Sequence, residues 1–202
     1  MRIAVIDHGA GNLVSIVAAL ERLGIDPVVA AAPDALEATD AVILPGVGAT
    51  GTAMARLNER GLDRALAAWP GPMLGICVGL QLLFDTSDED GGSCLGVIPG
   101  TVRELAGRPL PHMGWNDVHH RGDPLFDGIP SGEPFYFVHS YAPVPEDPAV
   151  IIATSAHGGR FTAAVRSGNR IGVQFHPERS GTAGLRLLSN FVRACRQATH
   201  AA

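Results

Sequence analysis

The chain of 202 residues lacks several features that mark particular classes of protein. Its three cysteines are few, odd in number and widely spaced, so the sequence predicts neither a disulfide framework nor a zinc site. It has no run of about 18 apolar residues, and the apolar stretch at its start is too short for a signal peptide. These absences predict no membrane partner and favour a cytoplasmic, reducing location.

Basic residues are in the minority, with 15 Lys and Arg against 20 Asp and Glu and a net charge of −5. A nucleic-acid-binding protein would show a basic patch or stripe, so we expect no nucleic-acid partner. Internal repeats, low-complexity tracts and obvious linkers are also missing. We therefore expect residues 1–202 to form one domain.

Strand and helix patterns alternate in the first half of the chain. Apolar runs predict four short buried strands, near 2–6, 27–30, 41–44 and 72–76. Helical spacing of apolar residues predicts three helices, over about 12–23, 52–68 and 78–85. Such alternation is typical of a parallel sheet that is covered on both faces.

The second half changes character, because residues 97–175 read mostly as strands separated by Pro and Gly. A helical pattern returns only at 182–196. The predicted fold class is therefore α/β: a flavodoxin-like, doubly wound, mostly parallel sheet with a β-rich second half.

The stretch G-I-C-V-G places Cys77 between Gly75 and Gly79, after a predicted strand and before a predicted helix. Ligands of doubly wound sheets bind beyond the carboxyl ends of the strands. The pattern G-x-C-x-G in this context is typical of a nucleophile elbow, in which small neighbours permit a sharp turn. The helix N-terminus would favour the thiolate. A buried core cysteine beside two incidental glycines is the alternative interpretation.

Residues 171–178 read I-G-V-Q-F-H-P-E, a strand pattern that ends in His176, Pro177 and Glu178. In an extended segment the first and third residues point the same way, so Glu178 can orient the imidazole of His176. A nucleophilic thiol needs such a base, and the base needs an orienting group. The tripeptide alone could be a surface turn, but together with the elbow it predicts a Cys77, His176 and Glu178 triad.

The stretch L-P-G-V-G at 44–48 provides a glycine-rich segment after the third predicted strand. Acyl transfer creates a negative oxygen that needs N–H donors, and Gly46 and Gly48 let the backbone approach it. The N–H of Val78 is the second expected donor. With Gly51 these glycines also form G-x-G-x-x-G, but this is not the first strand–helix turn and no acid follows at the required distance. We therefore expect no cofactor.

Two further polar features suggest no chemistry. His119 and His120 are adjacent, and neighbours on a strand point to opposite faces, so no metal site is expected there. The acidic stretch T-S-D-E-D at 86–90 is predicted to be a solvated loop.

The stretches G-I-C-V-G-L-Q-L-L, P-G-V-G and Q-F-H-P-E together resemble the class I glutamine amidotransferase family. The resemblance implies that Cys77 attacks the side-chain amide of L-glutamine, that ammonia leaves, and that water hydrolyses the glutamyl thioester. His176 would carry the proton in both steps. The positions that match the family's oxyanion segment and glutamine contacts are Gly46, Val47, Gly48, Gln81, Ser140 and Tyr141.

Three more stretches resemble one branch of that family, the glutaminase subunits of imidazole glycerol phosphate synthase: D-H-G-A-G-N-L, L-P-H-M-G-W-N and Y-F-V-H-S-Y. This branch implies a heterodimer in which ammonia passes to a (βα)8-barrel cyclase subunit. The cyclase acts on a phosphoribulosyl-formimino-AICAR nucleotide in histidine biosynthesis, and the complete reaction is that of a lyase.

Four positions match residues near the interface with the cyclase: Asn12, Met113, Trp115 and Arg179. Two positions depart from the branch. His8 stands where tyrosine is common, and Arg179 stands where lysine is common. Arginine keeps the charge of lysine but changes its geometry.

Three alternatives remain open on the sequence alone. The first is a free-standing glutaminase that serves anthranilate or pyridoxal phosphate synthesis, against which the L-P-H-M-G-W-N and Y-F-V-H-S-Y stretches argue. The second is a flavodoxin-like cysteine hydrolase or peptidase, which accounts less well for the glycine-rich segment. The third is a non-catalytic binding module, which the intact triad argues against.

Overall fold

A computed structural model describes residues 1–9 and 11–201, and residues 198–201 by their backbone alone. The helices in this part of the chain are α1 (Leu13–Arg22), α2 (Thr50–Glu59), α3 (Leu62–Ala67), α4 (Val78–Gln81) and α5 (Gly181–Ala201). The strands are β1 (Ile3–Ile6), β2 (Val28–Ala30), β3 (Ala41–Gly46), β4 (Met73–Cys77), β5 (Thr86–Ser87), β6 (Gly92–Ser93), β7 (Gly100–Glu104), β8 (His112–His120), β9 (Glu133–His139), β10 (Tyr141–Pro145), β11 (Ile151–Ala156), β12 (Arg160–Ser167) and β13 (Arg170–Val173).

Nine of these strands form one mixed sheet in the order β2-β1-β3-β4-β13-β12-β11-β8-β9. The neighbours from β2 to β13 are parallel, and those from β13 to β9 are antiparallel. The other four strands form a small second sheet in the order β10-β7-β5-β6. The β-rich second half therefore extends the parallel sheet and adds a second sheet.

The strands of the parallel half have continuous apolar sequences, which place them in the interior of the protein. Every residue of β1, β3 and β4 is buried, as expected for strands that are covered on both faces. Strands β3 and β4 run side by side, and Gly46 pairs with Cys77 at their carboxyl ends. The register thus brings the predicted oxyanion segment next to the predicted nucleophile.

Two predicted helices differ from those observed. The helix expected over 52–68 is divided into α2 and α3 at Gly61, whose φ of +67° ends the first helix in the left-handed conformation. The helix expected over 78–85 ends at Gln81. It stops there because the carbonyls of Leu82, Leu83 and Phe84 accept hydrogen bonds from the backbone of residues 95–98 instead of continuing the helix.

Strand β8 has no counterpart among the strands predicted from sequence. Its residues alternate between the protein interior and the surface; its outward positions include the polar Asp117 and His119, and its inward Gly114 has a φ of +132°. Such composition gives a weak strand signal. The pairing of β8 with β9 and β11 on its two sides therefore decides its conformation.

None of the helices in the described residues combines the length and the apolar character that crossing a membrane requires.

Candidate active site

Cys77 stands at a strained corner between β4 and α4. Its φ of 55° and ψ of −110° make it the one non-glycine residue with a positive φ in the described part of the chain. A Cβ on Gly75 would lie 2.5 Å from the carbonyl oxygen of Gly79, and a Cβ on Gly79 would overlap the carbonyl oxygen of Leu44. Both flanking glycines are therefore needed for the turn, which is how a nucleophile elbow is built.

His176 and Glu178 form a buried pair beside this corner. The chain leaves β13 and continues through an extended His176 into a short turn at Pro177–Arg179. Nδ1 of His176 donates to Oε1 of Glu178 over 2.8 Å, and both side chains are 3% exposed. This geometry is the one that the spacing of H-P-E predicts.

The charge state of His176 is set by its partners. Burial disfavours the imidazolium, but Cys77 and Glu178 outweigh burial and raise the pKa of His176 to about 10. Nε2 of His176 is buried and makes no hydrogen bond to another described residue. Because Nδ1 is held by Glu178, Nε2 is the nitrogen left to exchange a proton with the thiol of Cys77.

The glycine-rich segment lies against the elbow from the β3 side. A Cβ on Gly46 would lie 2.9 Å from Cβ of Val78, so this close approach of two backbones requires glycine. Gly48 has a φ of +89°, in the region that favours glycine, with no atom within 4 Å of where its Cβ would stand. Strain in the backbone, and not lack of space, therefore restricts this position.

A cavity of about 110 Å³ opens over Cys77. It brings together seven of the predicted site residues: Val47, Gly48, Cys77, Val78, Gln81, Ser140 and Tyr141. Three further residues line it that the sequence interpretation did not include: Glu89, Val138 and His139. A strained thiol, a buried base and a cavity beside them can support nucleophilic attack on a small carbonyl compound.

The amino-acid sequence of the chain matches a known protein family. The sequence description of the family glutamine amidotransferase class-I matches residues 4–195. The chain belongs to this family. It is therefore an amidotransferase whose elbow, base and glycine-rich segment lie within the matched region.

Curated relatives narrow the assignment within the amidotransferases. The chain is 49% identical to the imidazole glycerol phosphate synthase subunit HisH of Moorella thermoacetica, covering 98% of both chains. It is 48% identical to the HisH subunit of Herpetosiphon aurantiacus, covering 94% of this chain and 93% of the relative. The amidotransferase thus belongs to the family of HisH subunits.

Solved structures confirm the fold class. A crystal structure described as glutamine amidotransferase aligns with a TM-score of 0.75 at 23% identity, covering 96% of this chain and 98% of that one. The PurLQS structure from Thermotoga maritima aligns with a TM-score of 0.72 at 21% identity, over 96% and 98% of the two chains. At such identities the likeness supports the fold alone.

The acidic stretch of the amidotransferase at 86–90 is not simply solvated, as the sequence suggested. Glu89 accepts hydrogen bonds from the backbone N–H of Thr50 at 2.9 Å and from its hydroxyl at 3.4 Å. Asp90 accepts from the N–H of Gly51 at 2.9 Å. These carboxylates lie at the N-terminus of α2, where the helix dipole favours negative charge. The N–H groups of Thr50 and Gly51 are thus already bound by carboxylates of this chain.

Gln174 is a further residue that sequence interpretation missed. It lies in the Q-F-H-P-E stretch and is fully buried. Its Nε2 lies 3.7 Å from Sγ of Cys77, and its Oε1 accepts from Nε2 of Gln81 at 3.2 Å. The alternation along the strand, which places Gln174 and His176 on one side, was the available signal.

The four predicted partner residues lie around one exposed region. Met113 and Trp115 project from the same face of β8 and are 63% and 58% exposed. The Trp115 and Tyr136 rings meet edge to face at 6.2 Å, and the guanidinium of Arg179 lies 4.2 Å from the centre of the Tyr136 ring. Asn12 precedes α1, which packs near the turn that contains Arg179, and its side chain does not cap that helix.

The described residues contain no group of three or more His, Cys, Asp or Glu arranged to hold a metal ion. His119 pairs with Thr154 across the sheet, while His120 bonds the carbonyl of Ile129 at 2.9 Å. The two side chains thus have separate surroundings, in line with their adjacent positions on a strand.

Proposed function

We propose that this amidotransferase hydrolyses L-glutamine to glutamate through a thioester on Cys77 and supplies the ammonia to a cyclase subunit. One observation carries the proposal: the His176–Glu178 pair is buried beside the strained Cys77, which lines a cavity together with Val47 and Gly48 of the glycine-rich segment. This is a nucleophile with a base, an orienting group and a place for the substrate.

The proton follows a simple path in this mechanism. His176 holds the proton of the thiol, and the Cys77 thiolate attacks the carboxamide carbon of glutamine. The tetrahedral intermediate collapses as His176 returns the proton to the leaving nitrogen, which releases ammonia and leaves a thioester. His176 then takes a proton from water, which attacks the thioester carbon, and glutamate leaves as the thiol is restored.

Backbone N–H groups stabilise the negative oxygen that both tetrahedral intermediates carry. The N–H of Val78 follows the nucleophile directly, and Val47 and Gly48, which flank the second peptide, line the same cavity. Because Gly48 tolerates a positive φ, that peptide can turn at low steric cost. We propose that it presents its N–H only when the partner is bound, so that the isolated chain is slow.

The partner is inferred from the relatives and from the exposed region around β8. The curated relatives are named as subunits of imidazole glycerol phosphate synthase. Met113 and Trp115 form an exposed apolar patch with charged Arg179 nearby, the composition expected of a protein interface. We propose that a (βα)8-barrel cyclase of histidine biosynthesis docks here in a heterodimer and that Asn12 takes part. A cytoplasmic location belongs to the same proposal, since the thiol needs reducing conditions.

The similarity to HisH subunits over nearly the whole chain favours this assignment over a glutaminase of another synthase. The glycine-rich segment beside the elbow favours it over a cysteine peptidase, and the buried His176–Glu178 pair favours an enzyme over a binding module.

The test measures glutamate release from glutamine, with and without the barrel cyclase and its nucleotide. The cyclase and nucleotide should stimulate release by about 10²–10³-fold, the usual contribution of one oxyanion donor. Cys77→Ala should abolish release, while the mutant complex should still form product from added ammonia. Cys94→Ala is the matched control, because burial raises the pKa of Cys94 to about 11 and its thiol stays protonated. Glutamate release by Cys77→Ala would refute the proposal.

A further inference from the structure

Two buried histidines connect the strand that carries Met113 and Trp115 with the wall of the cavity. His112 on β8 and His139 at the end of β9 face each other across the two strands, and Nδ1 of His112 lies 3.1 Å from Nε2 of His139. They are 7% and 5% exposed, and His139 lines the cavity over Cys77. The proposed glutaminase mechanism uses neither of them.

The groups at the two ends fix the position of the proton on each ring. Nδ1 of His139 lies 2.8 Å from the carbonyl oxygen of Tyr141, which can only accept, so His139 carries its proton on Nδ1 and accepts at Nε2. His112 therefore donates from Nδ1, and its Nε2 accepts from Nδ2 of Asn116 at 3.1 Å. Asn116 gives its second N–H to the carbonyl of Ala156 at 2.8 Å. The histidine hydrogen bonds all run from Asn116 toward Tyr141.

The surroundings keep both rings neutral. Burial lowers the pKa of His112 to about 4, and His157 lowers it further. Burial also lowers the pKa of His139 to about 3; the hydrogen bond to the Tyr141 carbonyl opposes this shift, and the neighbouring histidines, His112 first, add to it. Neither ring is hydrogen-bonded to a carboxylate in the described residues. At neutral pH neither ring therefore takes up a second proton, and each keeps its single proton on the nitrogen that the hydrogen bonds require.

Gln81 and Gln174 connect the Tyr141 carbonyl with the nucleophile. The carbonyl of Tyr141 also accepts from Nε2 of Gln81 at 2.9 Å, and Oε1 of Gln174 accepts from the same Nε2 at 3.2 Å. Nε2 of Gln174 then faces Sγ of Cys77 at 3.7 Å. With both N–H groups of Gln81 engaged, its Oε1 remains as an acceptor for a ligand in the cavity that Gln81 lines.

We propose that His112 and His139 are positioning residues, whose fixed direction of hydrogen bonding holds the Tyr141 carbonyl and the Gln81 amide in the orientation that binds glutamine. The inference rests on the proposed function, because a carboxamide N–H is the group that an amide oxygen in this position would accept. A reversed proton on His139 would set two lone pairs against each other at Tyr141, and one on His112 would do so between the two rings, so either would disturb the cavity wall.

Two substitutions of His112 separate hydrogen bonding from packing. Phe fills the space and keeps the ring contacts, since His112 stacks on His157 at 4.5 Å and lies 5.1 Å from Phe137. It removes both hydrogen bonds and leaves Nε2 of His139 unpaired. Asn leaves a gap but keeps a donor near the position of Nδ1.

In the complex with cyclase and nucleotide, His112→Phe should raise the KM for glutamine about tenfold, the effect of one buried acceptor left unpaired, with kcat changed less than about twofold. His112→Asn should stay within about threefold of the wild-type KM. His119→Phe, at an exposed position of the same strand, is the control and should change neither constant. A wild-type KM in a folded His112→Phe variant would overturn the proposal.

A second measurement needs no turnover and no variant. Nitrogen-15 NMR of the isolated chain distinguishes the two neutral forms of each histidine, and at about pH 7 both His112 and His139 should carry the proton on Nδ1. A proton on Nε2 of either ring, or an imidazolium, would overturn the positioning role even if glutamine hydrolysis is normal. The expected NMR result together with an absence of glutamine hydrolysis would instead refute the proposed function, and the glutamine-binding role with it.

Discussion

Two regions of the molecule place buried histidines beside the same cavity in opposite states of charge. At the end of the parallel half, burial opposes the charge on His176, but Cys77 and Glu178 raise its pKa to about 10. In the antiparallel half, burial lowers the pKa of His112 to about 4 and that of His139 to about 3. A buried imidazole thus holds a charge only where an acidic partner compensates for the loss of water.

The difference separates two tasks. His176 has one nitrogen bound to a carboxylate and one nitrogen left over, so it can exchange a proton with a substrate. His112 and His139 have both nitrogens engaged by neutral groups, so they can only fix the direction of hydrogen bonds. In the proposed mechanism the same residue type therefore serves proton transfer in one region and orientation in the other.

The largest expected effect comes from removing the carboxylate partner of His176, which would leave it among neutral groups, as His112 and His139 are. Glu178→Gln keeps the shape of the side chain but removes the charge that stabilises the imidazolium. The kcat for glutamine hydrolysis in the complex should fall about 10³–10⁴-fold, less than in Cys77→Ala. NMR titration should show a lower pKa for His176 in the variant. Wild-type turnover would mean that another group orients His176.

The next effect concerns the oxyanion segment in the parallel half. Gly48→Ala should lower the stimulated glutaminase rate about 10²-fold, because alanine resists the φ of +89° and the peptide after Val47 loses its freedom to turn. The affinity for the cyclase should change little. Gly24→Ala is a matched control, with a φ of +73° and open space around its Cβ, far from the cavity after α1. Equal losses in both variants would contradict a specific role for Gly48.

A third substitution gives His112 a carboxylate partner, as His176 has in the parallel half. Asn116→Asp replaces the donor to His112 with a carboxylate, so the neutral ring should carry its proton on Nε2, and Nδ1 should become an acceptor that faces Nε2 of His139. The KM for glutamine should then rise about tenfold through the reversed hydrogen bonds. Asp117→Asn, the next residue on β8 and exposed, is the control. A His112 with its proton on Nε2 alone and an unchanged KM would separate the histidine pair from glutamine binding.

The smallest effect is the dependence of stability on pH, which has opposite signs in the two regions. His112 and His139 bind protons more weakly when folded, so stability should fall as pH drops from 6.5 toward about 4. His176 binds its proton more strongly when folded, so its contribution is complete below pH 6.5 and is lost as pH rises toward about 10.

Denaturant unfolding of the wild type and two variants across this range checks both signs. His112→Asn should lose less stability on acidification, and Glu178→Gln should lose less on alkalinisation. Profiles parallel to that of the wild type would show that these histidines do not govern the slopes.

The parallel half was largely predictable because short stretches of sequence determine its strands and turns. Continuous apolar runs predicted β1, β3 and β4, and the elbow and H-P-E stretches lie directly at strand ends. The glycines around Cys77 were predicted from the sterics of one turn, which the backbone confirms. The extent of a single domain over residues 1–202 stays a prediction.

The antiparallel half was less predictable because its structure depends on contacts between strands that are distant in sequence. Strand β8 was missed, and the bond between His112 and His139 joins residues 27 positions apart. Glu89 appeared to belong to a solvated loop, since nothing local shows that α2 and the cavity meet it. Residues whose function depends on partners across a sheet leave little trace in sequence periodicity.

In the proposed mechanism Cys77 is the nucleophile that attacks glutamine. The most direct test of this role is treatment of the complex with a glutamine analogue that carries an electrophilic diazoketone in place of the carboxamide, with the modified residue located by mass spectrometry. The label should appear on Cys77 in step with the loss of glutamate release and should be absent from Cys94. Loss of activity with Cys77 unmodified, or full activity with Cys77 fully labelled, would contradict this role.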